Sequence, residues 1–217
     1  MKTINQIIKS RKTQKVLAEQ PLPITSTNNS IINELLELAA AAPYHFKCCE
    51  EHKNEPLNSC LPWRSYTLDA KSCRLLLEYI EQNEIKTGKI ANLLAAADAL
   101  IITTWLPDEI EKESSESEPL PFIGSIRNME HIAAASAAIQ NILLGATARD
   151  IPNYWSSGGK LRANVLRDFL EIPLSEILLG AIFLFPKNSI ELGVQIKDGA
   201  VREHGKEINT WSKAINL

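Results

Sequence analysis

The chain has 217 residues, 45% of them hydrophobic and 23% charged, with a formal net charge of −3. That length holds one large domain or two small ones and is enough to bury a real core. The weak negative charge gives no support to a nucleic-acid-coating role. No apolar run reaches the roughly 18 residues of a membrane span, and the basic N-terminus lacks the apolar stretch of a signal peptide. The expectation is a cytoplasmic protein whose four cysteines are reduced thiols, with neither nucleic acid nor membrane as partner.

In chain order, Ile4, Ile7 and Ile8 fall at helical spacing. The Ser/Thr/Asn run at 25–30 offers N-caps for a helix predicted over 33–42, with Leu35, Leu38, Ala39 and Ala42 on one face and Pro43 ending it. Residues 64–68 read as a short strand, 72–82 as a helix with Leu75, Leu76 and Tyr79 inward, and 86–97 as another helix. The β-branched run ALIITTW at 99–105 predicts a strand. Residues 107–121 hold six acidic residues and three serines, the composition of a mobile loop.

A long helix runs on from Glu130, and six of the eight residues 133–140 are Ala or Ser. So little side-chain volume predicts a neighbour packed unusually close to the helix backbone. A short polar turn then leads into Trp155-Ser156-Ser157-Gly158. The run ILLGAIFLF at 177–185 is short and bounded by polar residues and Pro186, which predicts a buried central strand. Polar composition returns from Gly193 with a lone Trp211, as in a segment that wraps over a surface, a partner subunit for example. Helical and strand patterns alternate, so the class is mixed α/β. With no repeat and no boundary between two cores, a single domain over 1–217 is predicted.

Four groups of residues could carry chemistry. Lys9-Ser10-Arg11-Lys12-Thr13-Gln14-Lys15 suits a phosphate: Arg grips two oxygens through its fork, Lys adds a point charge and Thr donates a hydrogen bond. A solvated helix end is the plain alternative. His45, in the loop after Pro43, could donate to a ligand oxygen or simply face water. Trp155 offers an apolar face with donors at Ser156 and Ser157, while the Ala-rich helix before it also suits a buried core. Cys48, Cys49, His52 and Cys60 could be gathered into a metal site, but adjacent cysteines do not match zinc spacing, and an insertion carrying free thiols is the expectation. There is no Gly-rich dinucleotide fingerprint, G-x-S-x-G elbow or H-E-x-x-H motif.

The order of these groups resembles the FMN-dependent nitroreductase family. Arg11-Lys12-Thr13-Gln14-Lys15 is similar to its N-terminal Arg-Arg-Ser-x-Arg motif. Ala42-Pro43 through Pro62-Trp63-Arg64 resembles its Ala-Pro to Gln-Pro-Trp segment, with His45 matching the compact subgroup that begins Ala-Pro-Asp-His. Ala138-Ile139-Gln140-Asn141-Ile142-Leu143-Leu144 and Trp155-Ser156-Ser157-Gly158 resemble its Gln-Asn helix and Trp-Arg-Ser/Thr-Gly turn. Leu170-Glu171-Ile172-Pro173 and the 179–186 strand resemble its close.

The resemblance implies a central mixed sheet flanked by helices, an α+β homodimer with FMN at its interface. The first motif would hold the FMN phosphate and ribityl chain through Arg11, Lys12 and Thr13, with Lys15 beside them and Arg202 approaching the phosphate. His45 would reach flavin across the dimer interface, and Trp155, Ser156 and Ser157 would contact it directly. The implied activity is reduction of nitroaromatics, quinones or similar small acceptors, with NADH or NADPH as donor and no catalytic side chain required. A flavin-binding protein without turnover, or a dimeric interaction protein that has lost FMN, are the other readings. The sequence departs from the family pattern in several places. Ser156 replaces Arg, Leu61 replaces Gln, Phe185 stands for a Gly, Arg149-Asp150-Ile151-Pro152-Asn153 replaces a Gly-rich approach, and an insertion lies near 48–60.

Overall fold

Capping chemistry starts the first helix. Thr3 and Gln6 form a reciprocal capping box at the head of Ile4–Ser10 (α1). Gln14–Leu17 (β1), Asn29–Ala40 (α2), Trp63–Asp69 (β2), Ala70–Gln82 (α3), Lys89–Ala96 (α4) and Ala99–Trp105 (β3) follow. Next come Ile126–Ala148 (α5), Asn153–Ser156 (β4), Asn164–Phe169 (α6), Ile177–Leu184 (β5) and Gln195–Asp198 (β6). The computed structural model describes residues 2–24, 29–108, 122–189, 191–199 and 207–215. The 107–121 loop falls mostly outside the described residues, as do the cap candidates at 25–28 and Arg202.

The four-stranded sheet runs β2-β3-β5-β4. All three of its pairings are antiparallel, so the mixed strand directions implied for it are not found among the described residues. Every residue of β3 is buried because both faces of the sheet are covered. Ile101 and Ile182 pack with α2 and α5 through Leu35, Ile139 and Ile142. Leu100, Ile102 and Phe183 pack on the other face with Leu76, Leu94 and Leu166 of α3, α4 and α6. The apolar run at 177–185 is thus an inner strand, as its composition predicts.

The helix predicted over 33–42 lies at Asn29–Ala40. Leu35, Ala39 and Ala42 are buried and Leu38 reaches α5 from the rim of the same face. One apolar residue read as inward is not: Leu75 is 49% exposed, and the inner face of α3 is instead Cys73, Leu76, Leu77 and Ile80. Helical spacing locates a face only to within one residue, and here the neighbouring sheet selects the other side.

Close packing on α5 comes from α2 of the same chain. A Cβ built at Gly145 would sit 2.5 Å from Leu38 Cδ1 and 2.7 Å from Leu35 Cδ2. By length and composition α5 is also apolar enough to cross a membrane, although no run in the sequence suggests it. Half of that apolar window is buried inside the fold, the pattern of a core helix.

Asp69 ends β2 and caps α3, its Oδ1 accepting from the Ser72 amide at 2.7 Å. That hydrogen bond, with the Ser72 side chain next in effect, holds its carboxyl below the usual range. A depressed carboxylate stabilises the fold above its unfolded pKa, and the contribution is lost as pH falls through the folded value. Asp69→Ala is expected to cost about 1 kcal/mol at neutral pH. In urea titrations the gap from wild type should close as pH drops below about 4.

Candidate flavin site

Arg11 terminates α1 with an extended backbone (φ −58°, ψ 123°), which sends the chain straight into β1. The basic strip therefore lies at the start of a two-stranded ribbon, β1 against β6. Lys12 Nζ donates to Asp198 Oδ2 at 2.9 Å, and the Thr13 carbonyl accepts from the Gly199 amide at 3.0 Å. Lys15 places its ammonium 5.0 Å from the centre of the Tyr154 ring, which joins the ribbon to β4. A cleft of about 170 Å³ opens here, lined by Lys2, Ser10, Lys12 and Gln14 on one side and Asp150 and Asn153 on the other. Asp150 sits at φ 56°, a conformation that Asp tolerates better than most residues, so the loop turns without the glycines the resemblance would place there. Its carboxylate is paired with Lys2.

The ribbon also reveals a feature that strand spacing alone could not. Its register sets Lys15 directly opposite Lys197. Cross-strand partners project from the same face, and like charges there repel. An anion lying over the ribbon would relieve that repulsion. Lys2 and Lys197 escape sequence reasoning because only the fold brings them to the strip.

Trp155 and Ser156 belong to a strand, β4, where the sequence predicts a turn. The Trp155 indole packs against Gly180 of β5, where a Cβ would come 2.2 Å from Nε1. Ser156 is buried, and its Oγ accepts from the Gly158 amide at 3.2 Å. The Ser157 carbonyl accepts from Arg162 Nε at 2.7 Å. Both serines thus help shape the turn after β4, and both lie one strand away from the basic strip.

His45 is placed elsewhere. Its Nδ1 is 3.0 Å from Glu130 Oε2, near the beginning of α5. Thr147, which lines the basic cleft, stands near the end of α5, roughly 25 Å further along at about 1.5 Å per residue. The sequence-predicted residues therefore form two groups: Arg11, Lys12, Thr13, Lys15, Trp155, Ser156 and Ser157 around β1 and β4, and His45 alone at the far end of the long helix.

The 48–60 insertion closes around Arg64, which the sequence reading leaves without a role. The buried guanidinium donates to the carbonyls of His52, Leu57, Ser59, Leu61 and Trp63 at 2.8–3.1 Å. His52 Nε2 lies 2.7 Å from the Pro107 carbonyl and buried His131 Nδ1 2.8 Å from that of Leu106, so both rings are bound to backbone. Among the described residues, no three His, Cys, Asp or Glu side chains converge as metal ligands.

No family model matches the sequence, and no curated protein matches it significantly. Solved structures do. A nitroreductase-like family protein from Bacillus cereus superposes with a TM-score of 0.62 at 19% identity, over 100% of this chain and 98% of its own. The chain has the nitroreductase fold. A nitroreductase family protein from Clostridium novyi shares this nitroreductase fold at a TM-score of 0.56 and 19% identity, over 87% of this chain and 88% of its own. A nitroreductase with bound FMN from Bacteroides fragilis does so at 0.50 and 17%, over 85% and 88%.

Proposed function

We propose that this chain is a homodimeric flavoprotein oxidoreductase that holds FMN between its subunits. It would use NADH or NADPH to reduce a small electron-poor acceptor such as a nitroaromatic or quinone. The observation that carries the proposal is the charge arrangement at β1. Arg11, Lys12 and Lys15 occur within five residues, Lys197 faces Lys15, and the carboxylates beside them, Asp198 and Asp150, are already engaged by Lys12 and Lys2. Beyond those pairs, Lys15 and Lys197 add two like charges on one face, which a phosphate monoester dianion would offset. The B. fragilis protein of the same fold has FMN bound.

Each residue then has a task. Arg11, Lys12 and Lys15 neutralise the phosphate, and the Thr13 hydroxyl donates to it or to the ribityl chain. Trp155, braced by Gly180, presents an apolar wall, while Ser156 and Ser157 keep the following turn in place. Arg202 is a further cation for the phosphate. Bound FMN supplies the hydride chemistry, so the protein contributes binding, orientation and electrostatics.

Two copies explain the separation of His45 from the strip. A symmetric dimer can bring one subunit's His45 to the other's β1, which a single chain cannot do over roughly 25 Å. Apolar side chains are exposed for such a contact: Ile4 of α1, Ile126 and Met129 of α5, and Ile215 near the C-terminus are 59–80% exposed.

The test begins with purification. A yellow protein with flavin absorbance, bleached anaerobically by NADH or NADPH, is the expected result. Colour without bleaching would point to a flavin carrier without turnover. A colourless protein that ignores added FMN would overturn the proposal and leave an interaction protein. Arg11→Ala is expected to weaken FMN binding by about 1.5–3 kcal/mol, roughly ten- to a hundredfold in Kd. Unchanged affinity in a fluorescence titration would remove Arg11 from the site.

A further inference from the structure

Three of the four thiols gather in the 48–60 insertion, outside the flavin strip. The Cys48 amide donates to the Cys60 carbonyl at 3.1 Å. Backbone dimensions then keep the two Cα atoms within about 7 Å of each other, inside the reach of a disulfide. Cys48 is buried and turns its Sγ toward the Ser59 carbonyl at 3.4 Å, toward the segment that carries Cys60. Arg64 grips that same Ser59 carbonyl at 3.0 Å, so the segment is held in register.

Cys60 is partly open to solvent. Its Sγ lies 3.5 Å from the Tyr44 hydroxyl. The Tyr44 hydrogen bond, followed by the charges of Lys47 and Lys53, holds the Cys60 thiol below its ordinary range. A partly exposed thiol with a hydroxyl donor and a nearby lysine has the setting in which thiols react as nucleophiles, although Lys53 is itself paired with Glu50. Cys49 differs, because its amide is bound to the Asp108 carboxylate at 3.2 Å. Cys73 differs more: burial pushes its thiol up to about 12.

We propose that Cys60 and Cys48 form a peroxide-reactive dithiol, with Cys60 as the attacking thiol and Cys48 as the resolving one. The Cys60 thiolate attacks one oxygen of hydrogen peroxide. The O–O bond breaks, and hydroxide leaves and takes up a proton to become water, while Cys60 becomes a sulfenic acid. The Cys48 thiol then attacks that sulfur. The S–S bond forms, the S–O bond breaks, and the departing hydroxyl leaves as a second water with the Cys48 proton. Two thiols lose two electrons in all, and one peroxide is reduced to two waters. The disulfide closes the insertion at its two ends, around the carbonyls that Arg64 already binds.

The test uses the whole reduced protein, exposed to a small excess of hydrogen peroxide, alkylated and mapped by mass spectrometry. The expected product is one intramolecular Cys48–Cys60 link, with Cys49 and Cys73 still alkylated. Cys48→Ser should stop at a sulfenic acid on Cys60, trapped by dimedone, and Tyr44→Phe should slow the first step severalfold. Cys60→Ser should leave Cys48 reduced under the same exposure. A Cys48–Cys49 link, a link between chains, or oxidation of Cys60 no faster than that of Cys49 in the wild-type protein would overturn the proposal. The wild-type mapping decides the matter even where a variant folds poorly.

Discussion

Arg64→Met is expected to destabilise the protein by about 3–5 kcal/mol and to loosen the 48–60 insertion first. Methionine fills the channel but donates nothing, and the carbonyls of His52, Leu57, Ser59, Leu61 and Trp63 lose their common partner. A buried acceptor without a donor keeps its desolvation cost, so the loss exceeds that of an ordinary hydrogen bond. Arg64→Lys should recover little of it. An ammonium has three donors and no planar fork, too few and too narrow for five carbonyls spread over residues 52–63. Urea unfolding gives the magnitude, and hydrogen exchange gives the place: amides of 48–60 should lose protection while those of β3 and β5 keep theirs. A loss under about 1 kcal/mol would show that the carbonyls find water as readily as the guanidinium.

Gly180→Ala is expected to cost about 1–3 kcal/mol and to displace Trp155. The new Cβ would stand 2.2 Å from Trp155 Nε1, 2.8 Å from its Cδ1 and 3.1 Å from Ile139 Cδ1. A rigid indole cannot yield by rotating one flexible end, so either the ring swings outward or β4 separates from β5. Both outcomes disturb the apolar wall assigned to the flavin, and FMN affinity should fall together with the melting temperature. Gly124→Ala is the matched control, because a Cβ there meets nothing within 4 Å. Equal melting temperatures for the two variants would mean that β4 is free to move and that Trp155 is not braced. A drop in melting temperature with unchanged FMN affinity would detach Trp155 from the site while leaving the packing account intact.

Local sequence determined the inner strands. ALIITTW and ILLGAIFLF are too short and too uniformly apolar for surface helices, and burial on both faces follows from that composition. It also kept Arg11, Lys12, Thr13 and Lys15 together, because they are neighbours in the chain at the end of α1 and the start of β1. Chain order of the motifs was enough to indicate the nitroreductase fold.

Tertiary structure decided everything that depends on register or on distance between elements. Leu75 carries the right residue type at the right spacing, but which side of a helix meets the sheet is fixed by the docking angle. Lys197 faces Lys15 through pairing of segments at opposite ends of the chain. Arg64 gathers carbonyls, which carry no sequence signature at all. His45 pairs with Glu130 near the start of α5, whereas the basic cleft reaches Thr147 near its end, roughly 25 Å along the helix, and only the length of α5 in the fold sets that separation. Side-chain type and period are properties of a few adjacent residues, whereas approach across the fold depends on how rigid elements pack, and that information is spread over the whole chain.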